Sequence, residues 1–409
     1  MLLFVIGCAV DPLTDMFDLF EDTPNDGNPE STKAWLWAFD LSVDSVFVYH
    51  TTDKLMWESF AMPADTSTPF FSGHLVGGGI YPTVWTGYES TAYAFMNGIL
   101  DHDDHGHIVR PGEHHSIDLL PHLHIEAISV TPNGRTIVVS ARDTISTDNA
   151  GHIYSIDYST GDKTLLAQGT FRKVIVAGVD VVIAVSPDSR QAEIISIEQG
   201  GITGTVTIDT LASGAVYNPG PQKAYIATES GIQVLDLQTQ TIVATIPYGS
   251  QGRVTGLVSV RNAHRALVFF GEDSGQSSTI AVLDMDNDLL HEVTIHGASL
   301  PLVSQRAHYD LSDDGRVAII ADMLEPRMYR FTLAQREPQV LDAPGPSCGV
   351  ATNWGGTRIW ALFENSAYQI SSELNQVVDS MAFSRDIDRL MISSFRNERE
   401  LWDSPDHTF

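Results

Sequence analysis

The 409-residue sequence has few cysteines, few basic side chains and no long apolar run after its first residues. Its two cysteines, Cys8 and Cys348, are too few for a disulfide framework. Lysine and arginine number 23 against 52 aspartates and glutamates, so the formal net charge is -29 at pH 7. This imbalance argues against a nucleic-acid partner, because a polyanion would be repelled at long range. It fits a role in handling cations, and it also fits simple solubility in a salty environment.

The first residues carry a membrane signal. An apolar run leads into Val5-Ile6-Gly7-Cys8, which resembles a bacterial lipobox, the motif in which the cysteine receives a lipid and becomes the new N-terminus. The resemblance implies a signal-peptide remnant over residues 1–7 and a protein that is anchored to a membrane through Cys8 rather than spanning it. The expected location is extracytoplasmic, in the periplasm or at the cell surface. The alternative is a short buried strand with an incidental cysteine.

Residues 8–32 have the composition of a flexible tether. They lack hydrophobic periodicity and are rich in acidic residues and in chain breakers. The acidic residues and the breakers are Asp11, Asp15, Asp18, Glu21, Asp22, Asp26 and Glu30, with Pro12, Pro24, Gly27 and Pro29. We therefore expect an acidic tether over residues 8–32 and one folded domain over residues 33–409.

A weak repeat runs through that domain. Short apolar strands recur after turns that contain Gly, Asn or Asp, at intervals of roughly 40 to 50 residues, which is the period of a four-stranded propeller blade. The clearest copies are Val130 to Ser140 and Leu311 to Ala321. Second hairpins of alternating apolar and polar residues follow most copies, as at Ile232 to Ala244. Candidate blade starts lie near Ala34, Tyr81, Val130, Ala177, Tyr217, Val260, Leu311 and Thr352.

The fold prediction is therefore an all-β propeller with four-stranded antiparallel blades. The repeat count favours eight blades, with seven as the alternative. Helical patterns are almost absent, and only residues 386–402 leave a choice between a short helix and a closing strand. This arrangement resembles the broad class of YVTN/WD-like propellers, a resemblance that concerns the fold and not the function.

Seven of the fifteen histidines crowd into one stretch. They are His102, His105, His107, His114, His115, His122 and His124. Acidic residues lie among them, and imidazole with carboxylate is the ligand mix that zinc prefers when thiolate is not used, although copper and nickel also accept imidazole. The sequence therefore predicts a divalent-metal site formed by His102, Asp104, His105, His107, His122 and His124, with zinc as the favoured ion. The alternative is a solvated loop between blades.

One motif within this stretch carries a closer resemblance. His102-x-Asp104-His105-x-His107 resembles the His-x-Asp-His-x-His motif of periplasmic propeller-type zinc metallochaperones. The resemblance implies metal capture by a mobile segment and transfer to the solute-binding protein of a metal importer. In that family a second, more rigid site on the propeller body holds zinc tightly. Here His122 with His124, or His264 with His308, are the candidates for such a second site.

Three other patterns favour structural roles. Asp284-x-Asp286-x-Asp288 imitates the start of a calcium loop, but Leu289 and Ile295 stand where an EF-hand needs Gly and Glu, so a turn is expected. Gly345-x-Ser347-x-Gly349 matches the string of a hydrolase elbow without the helix that an elbow requires, so an inter-blade turn is expected. Cys348 within it is expected to be a small buried residue.

The preferred hypothesis is thus a lipid-anchored, metal-binding propeller that is not an enzyme. Two alternatives stay open. The first is a surface propeller that binds another surface protein without any metal. The second is a propeller enzyme of the quinoprotein dehydrogenase or lactonase type, with its active site on the ring axis.

Overall fold

The computed structural model of the protein describes residues 30–396 with internal gaps. The gaps are residues 41, 44, 52–53, 62–75, 78–82, 89, 97–98, 102–105, 109–113, 132–135, 149, 158–159, 171–173, 179, 187–188, 250–252, 260–263, 272–277, 303–305, 313–314, 336 and 354–355. Cys8 and almost all of the predicted tether therefore lie outside the described residues.

Eight four-stranded antiparallel sheets make up the described part of the chain, with one extra two-stranded sheet. We number the sheets as blades in chain order. Blade 1 contains β1 (Glu30–Asp40), β2 (Ser45–His50), β3 (Met56–Ala61) and β34 (Arg389–Arg396). Blade 2 contains β4 (Val76–Gly77), β5 (Thr83–Tyr88), β6 (Thr91–Met96) and β9 (His114–Asp118), and the two-stranded sheet contains β7 (Ile99–Asp101) and β8 (Gly106–Ile108).

The other six blades each use four consecutive strands. Blade 3 contains β10 (Leu123–Val130), β11 (Thr136–Asp143), β12 (Ala150–Asp157) and β13 (Lys163–Thr170). Blade 4 contains β14 (Val174–Ala177), β15 (Val181–Val185), β16 (Gln191–Ser196) and β17 (Gly201–Thr207). Blade 5 contains β18 (Gly214–Asn218), β19 (Lys223–Ala227), β20 (Ile232–Asp236) and β21 (Thr241–Ile246).

The remaining strands complete the set. Blade 6 contains β22 (Arg253–Val258), β23 (Arg265–Gly271), β24 (Thr279–Asp284) and β25 (Leu289–Thr294). Blade 7 contains β26 (Tyr309–Leu311), β27 (Val317–Ala321), β28 (Arg327–Thr332) and β29 (Pro338–Asp342). Blade 8 contains β30 (Gly349–Thr352), β31 (Arg358–Phe363), β32 (Ser366–Ser371) and β33 (Gln376–Ala382). One 3-10 turn, Arg306–His308, is the only helical segment among the described residues, and none of them forms a helix long and apolar enough to cross a membrane.

The blades form a ring with their first strands innermost. The first strands of neighbouring blades contact each other, as β10 does with β14, β14 with β18, and β30 with β34. The eight-blade propeller prediction is therefore confirmed. Most sequence copies correspond to the first hairpin of a blade, for example Leu311 to Ala321 across β26 and β27. Ala34 differs because it lies in β1, the second strand of blade 1.

The core lies between neighbouring blades rather than inside any one sheet. One cluster joins Val216 and Tyr225 of blade 5 to Val268 and Leu283 of blade 6. All six residues of β24 are buried, whereas the fourth strand of blade 5, β21, is mostly exposed on the rim. Because each large apolar side chain that is fully removed from water contributes about 1.5–3 kcal/mol, strands such as β24 supply much more of the burial free energy than rim strands such as β21.

The turns between the third and fourth strands share one backbone conformation. In six blades a residue in the left-handed region ends the turn, which suits a short hairpin followed by a bulge. These residues are Lys54, Gly161, Gly200, Gln240, Asp288 and Asn375, with φ between 49° and 73°. A carboxylate begins several of these turns, and Asp236 Oδ1 accepts the Thr239 N–H at 2.8 Å. Asp284 Oδ1 accepts the Asn287 N–H at 3.3 Å, so the turn predicted at this position is confirmed.

Side chains at the turn from Asp284 to Asp288 hold blades 5 and 6 together. The buried Tyr225 hydroxyl of β19 lies 2.7 Å from Asp288 Oδ1 and also contacts the Met285 carbonyl oxygen. Lys223 Nζ donates to the other Asp288 oxygen at 2.6 Å. Burial and the neighbouring carboxylates raise the pKa of Tyr225 well above its usual value, so the phenol remains a neutral donor.

Removing that hydroxyl should weaken this clamp between blades 5 and 6. We expect Tyr225→Phe to lower the free energy of unfolding by about 1–3 kcal/mol, because it removes the one hydroxyl proton that lies between the Met285 carbonyl and Asp288. Urea denaturation would measure this change. Tyr368→Phe is the matched control, since no hydrogen bond of its hydroxyl is recorded within the described chain, and equal effects of the two changes would contradict the clamp.

Candidate metal centre

The histidine-rich stretch is an insertion into blade 2. Strands β6 and β9 pair directly, with Phe95 opposite His114 and Thr91 opposite Asp118. In blade 5 the corresponding strands are joined by a tight turn. Here residues 97–113 intervene, and part of them forms the β7–β8 hairpin, in which Leu100 pairs with His107. We call residues 97–113 the insert.

The insert contains four of the six predicted metal ligands. His107 lies in β8. His102, Asp104 and His105 fall in the segment that joins β7 to β8 and lie outside the described residues. Because β7 and β8 are antiparallel neighbours, the two ends of this segment are held close together. That these four side chains gather around one metal ion remains a prediction.

His122 and His124 lie at the opposite end of the blades from the insert. The insert leaves blade 2 at the Phe95–His114 end, and β9 then runs away from it to Asp118. The Leu119 N–H donates to the Ser90 carbonyl at 2.7 Å, in the turn between β5 and β6. His122 and His124 follow at the start of β10. A five-residue strand spans roughly 17 Å, so the described strands separate these two histidines from the insert.

His124 lies close to a carboxylate next to a β-bulge. The pairing of β10 with β11 shifts between Ile125 and Ala127, which makes Glu126 the extra residue. His124 Nδ1 lies 3.7 Å from Glu126 Oε1, and their side chains are 19% and 21% exposed. Within the described chain His124 Nδ1 has no hydrogen-bond partner.

The same carboxylate already has a cation beside it. Arg142 Nη2 forms an ion pair with Glu126 Oε1. His124 and Glu126 thus offer one nitrogen and one carboxylate to a metal ion, which is fewer than the four ligands of a closed zinc site. Among the described residues, no three His, Cys, Asp or Glu side chains are grouped closely enough to hold a metal ion.

His264 and His308 occupy separate ends of the ring. His264 lies between the first and second strands of blade 6, whereas His308 directly precedes the first strand of blade 7. His264 Nδ1 lies 2.9 Å from Asp286 Oδ1, and His308 Nδ1 donates to the Ser347 carbonyl at 2.9 Å. Each of the two imidazoles therefore has its own local partner, and the two histidines do not form a joint metal site.

The turn before β30 has a structural role, as expected, but its cysteine is not buried. Ser347 is buried, and its hydroxyl donates to the Gly349 carbonyl at 2.7 Å, so it is not presented as a nucleophile. Cys348 is exposed, which corrects the expectation of a buried residue. The reason is the alternation at the start of the strand: Ser347 and Gly349 both face the interior, and the residue between them faces outward.

Comparisons with known proteins show the fold. The sequence matches no protein-family model and no curated protein. The structure is similar to AztD from Citrobacter koseri, with a TM-score of 0.68 and 13% identity over 89% of this chain and 99% of that chain. Apo AztD from the same organism gives 0.65 and 12% over 88% and 98%. The dihydro-heme d1 dehydrogenase NirN in complex with DHE gives 0.62 and 10% over 89% and 75%. At these identities the likeness establishes a shared fold.

The partly buried His308 generates a prediction about acid stability. Burial lowers the pKa of His308 below its ordinary value of about 6.5. The unfolded chain therefore binds a proton at this position more readily than the folded chain does, and stability falls as the pH drops below about 6.5. We expect His308→Asn, which can keep the donor to Ser347, to flatten this part of the pH profile.

Thermal or urea unfolding between pH 7.5 and pH 5 would measure the slope. His296→Asn is the control, because His296 is exposed on the connection before His308. A slope that is unchanged by His308→Asn, or equally flattened by both substitutions, would contradict the assignment.

Proposed function

We propose that this protein is an extracytoplasmic, lipid-anchored propeller that captures a divalent metal ion, with zinc favoured, and transfers it to a partner protein. The capture site is the insert, through His102, Asp104, His105 and His107. The partner is the solute-binding protein of a metal importer or another surface protein. Attachment to the membrane is through a lipid on Cys8.

The observation that carries this proposal is the sequence of the insert. Three imidazoles and at least one carboxylate fall within six residues, and the antiparallel β7–β8 pair brackets them. Such a hairpin limits the separation of the chain ends and so reduces the entropy that is lost when the ligands gather around an ion. The same motif is the one that resembles propeller-type zinc metallochaperones.

The charge of the whole protein supports a cationic cargo. A net charge of -29 creates a field that draws cations toward the surface and raises their rate of encounter. Imidazole nitrogen with carboxylate oxygen then selects zinc or a neighbouring transition metal over calcium and magnesium, which prefer oxygen alone. Ligands gathered on a hairpin beyond the blade can be reached by a second protein, which suits transfer.

His122 and His124 form the second part of the proposal. They lie at the other end of the ring, with Glu126 beside His124 at 3.7 Å. Because Arg142 already neutralises Glu126, a metal ion there would compete with a guanidinium group. We therefore assign to these residues a separate and weaker metal site.

Zinc titration tests the capture site. We expect the combined change of His102, His105 and His107 to Ala to weaken the stronger zinc-binding event at pH 7.5 by about tenfold or more, because structural zinc binding depends on the full ligand set. Isothermal titration calorimetry on protein without a purification tag would measure it. Binding to the unchanged protein should also weaken below pH 6.5 or so, as protons compete for imidazole.

Two control variants locate the sites. His264→Ala combined with His296→Ala removes two exposed histidines outside the insert and should leave zinc binding unchanged. His124→Ala should remove only the weaker event. If the unchanged protein takes up no zinc at micromolar concentration, the metal proposal is wrong, and the alternative of a surface propeller without metal is favoured.

Membrane attachment has its own test. We expect Cys8→Ser to move the full-length protein from the membrane fraction of its host to the soluble fraction, because one signal for lipid attachment is lost. Cys348→Ser is the matched control and should stay with the membrane. Equal partitioning of all three proteins would contradict the lipid anchor.

A further inference from the structure

The closing strand β34 is hydrogen-bonded to a neighbouring strand on one edge only. It pairs with β1, from Phe39 opposite Arg389 to Ala34 opposite Ser394. The other edge of β34 faces the ring axis, as the inner edges of all first strands do. Strand β34 ends at Arg396, the last of the described residues.

The pairing of β34 is interrupted near that far end. After Ala34 and Ser394 the register shifts, and only the pair of Glu30 with Arg396 continues the ladder. An interrupted ladder at the end of a strand is where a sheet opens most readily. Leu390 and Ile392 of β34 are buried in the core between blades 8 and 1.

The hairpin of the insert lies beside this strand. In sequence the hairpin belongs to blade 2, where it separates the third strand from the fourth. In space β7 contacts β34, the innermost strand of blade 1. The strand directions agree with this contact, because the insert leaves blade 2 at the end of the ring where each first strand terminates, and β34 terminates there at Arg396.

From these three observations we propose that the β7–β8 hairpin is a strap that holds the closing strand of the ring in place. The hairpin reaches from the outer part of blade 2 to the boundary between blades 1 and 2. There it restrains the C-terminal end of β34, where the pairing of β34 with β1 is interrupted. The strap does not depend on metal binding, so it goes beyond the capture role of the same insert.

Hydrogen exchange on a graft variant tests the strap. Residues 96–112 are replaced by Asp236–Gln240, the tight turn that joins the third and fourth strands of blade 5. Glu113 then follows the turn as Thr241 does in blade 5. All samples contain a chelator, so that metal capture by the insert plays no part. We expect the amides of β34 to exchange about tenfold faster, since strap removal lowers the free energy of local opening, while the amides of β20 keep their rates.

A point variant keeps the test independent of the graft. Leu100→Pro leaves the length of the insert unchanged but breaks the β7–β8 ladder, since proline cannot donate within it. It should speed exchange in β34 in the same direction as the graft does. Unchanged exchange in β34 in both variants, or equal acceleration in β34 and β20, would overturn the proposal.

Discussion

The pairing of β1 with β34 is the interaction on which the rest of the structure depends. Each blade buries its two faces against its neighbours, so a ring with one missing inner strand would expose the core between blades 8 and 1. That core contains Leu36 and Phe47 of blade 1 together with Trp360 and Leu362 of blade 8. Pairing an N-terminal strand with a C-terminal strand ties both ends of the described chain into one sheet and makes the eight blades a closed body.

Several of the acidic side chains have structural roles in the fold. Asp236 and Asp284 cap turns, and hydrogen bonds from those turns lower the pKa of each carboxyl. Asp322 is fully buried, and there the Leu324 and Glu325 N–H groups, Arg327 and the Tyr329 hydroxyl lower the carboxyl pKa against the opposing effect of burial. Carboxylates that accept several hydrogen bonds are poor candidates for metal ligands. This is one reason to seek the metal site in the insert rather than on the rim.

The repeat made the ring predictable, and its exceptions show what a linear pattern omits. Leu311 to Ala321 marked a first hairpin because Asp-Gly turns and apolar strands are local features. The pattern could not assign Ala34 to a second strand, because the first strand of that blade arrives from the other end of the chain. Within residues 386–402, the choice between helix and strand was settled for Arg389–Arg396 by a tertiary contact, the ladder of β34 with β1.

The candidate site shows the same limit. His107 and His124 are near in sequence, yet β9 runs between them and carries the chain to the other end of the blade. His124 and Glu126 are two residues apart in β10, a spacing that places both side chains on one face of a strand, but no pattern indicated that Arg142 already pairs with Glu126. Cys348 was expected inside because a free cysteine is usually a small buried residue, but the alternation at the start of the strand places it outside. The composition of the sequence therefore indicated a histidine-rich segment. Only the strand directions in the structure showed that the histidines of the insert lie apart from His122 and His124.

X-ray absorption spectroscopy on the protein loaded with one equivalent of zinc tests the central claim most directly. The account predicts a first shell of nitrogen and oxygen at about 2.0–2.2 Å, with the outer-shell scattering of at least two imidazole rings, and loss of that imidazole signal when His102, His105 and His107 are replaced by Ala. A sulfur neighbour at about 2.3 Å, or a spectrum that is unchanged by the triple substitution, would contradict it.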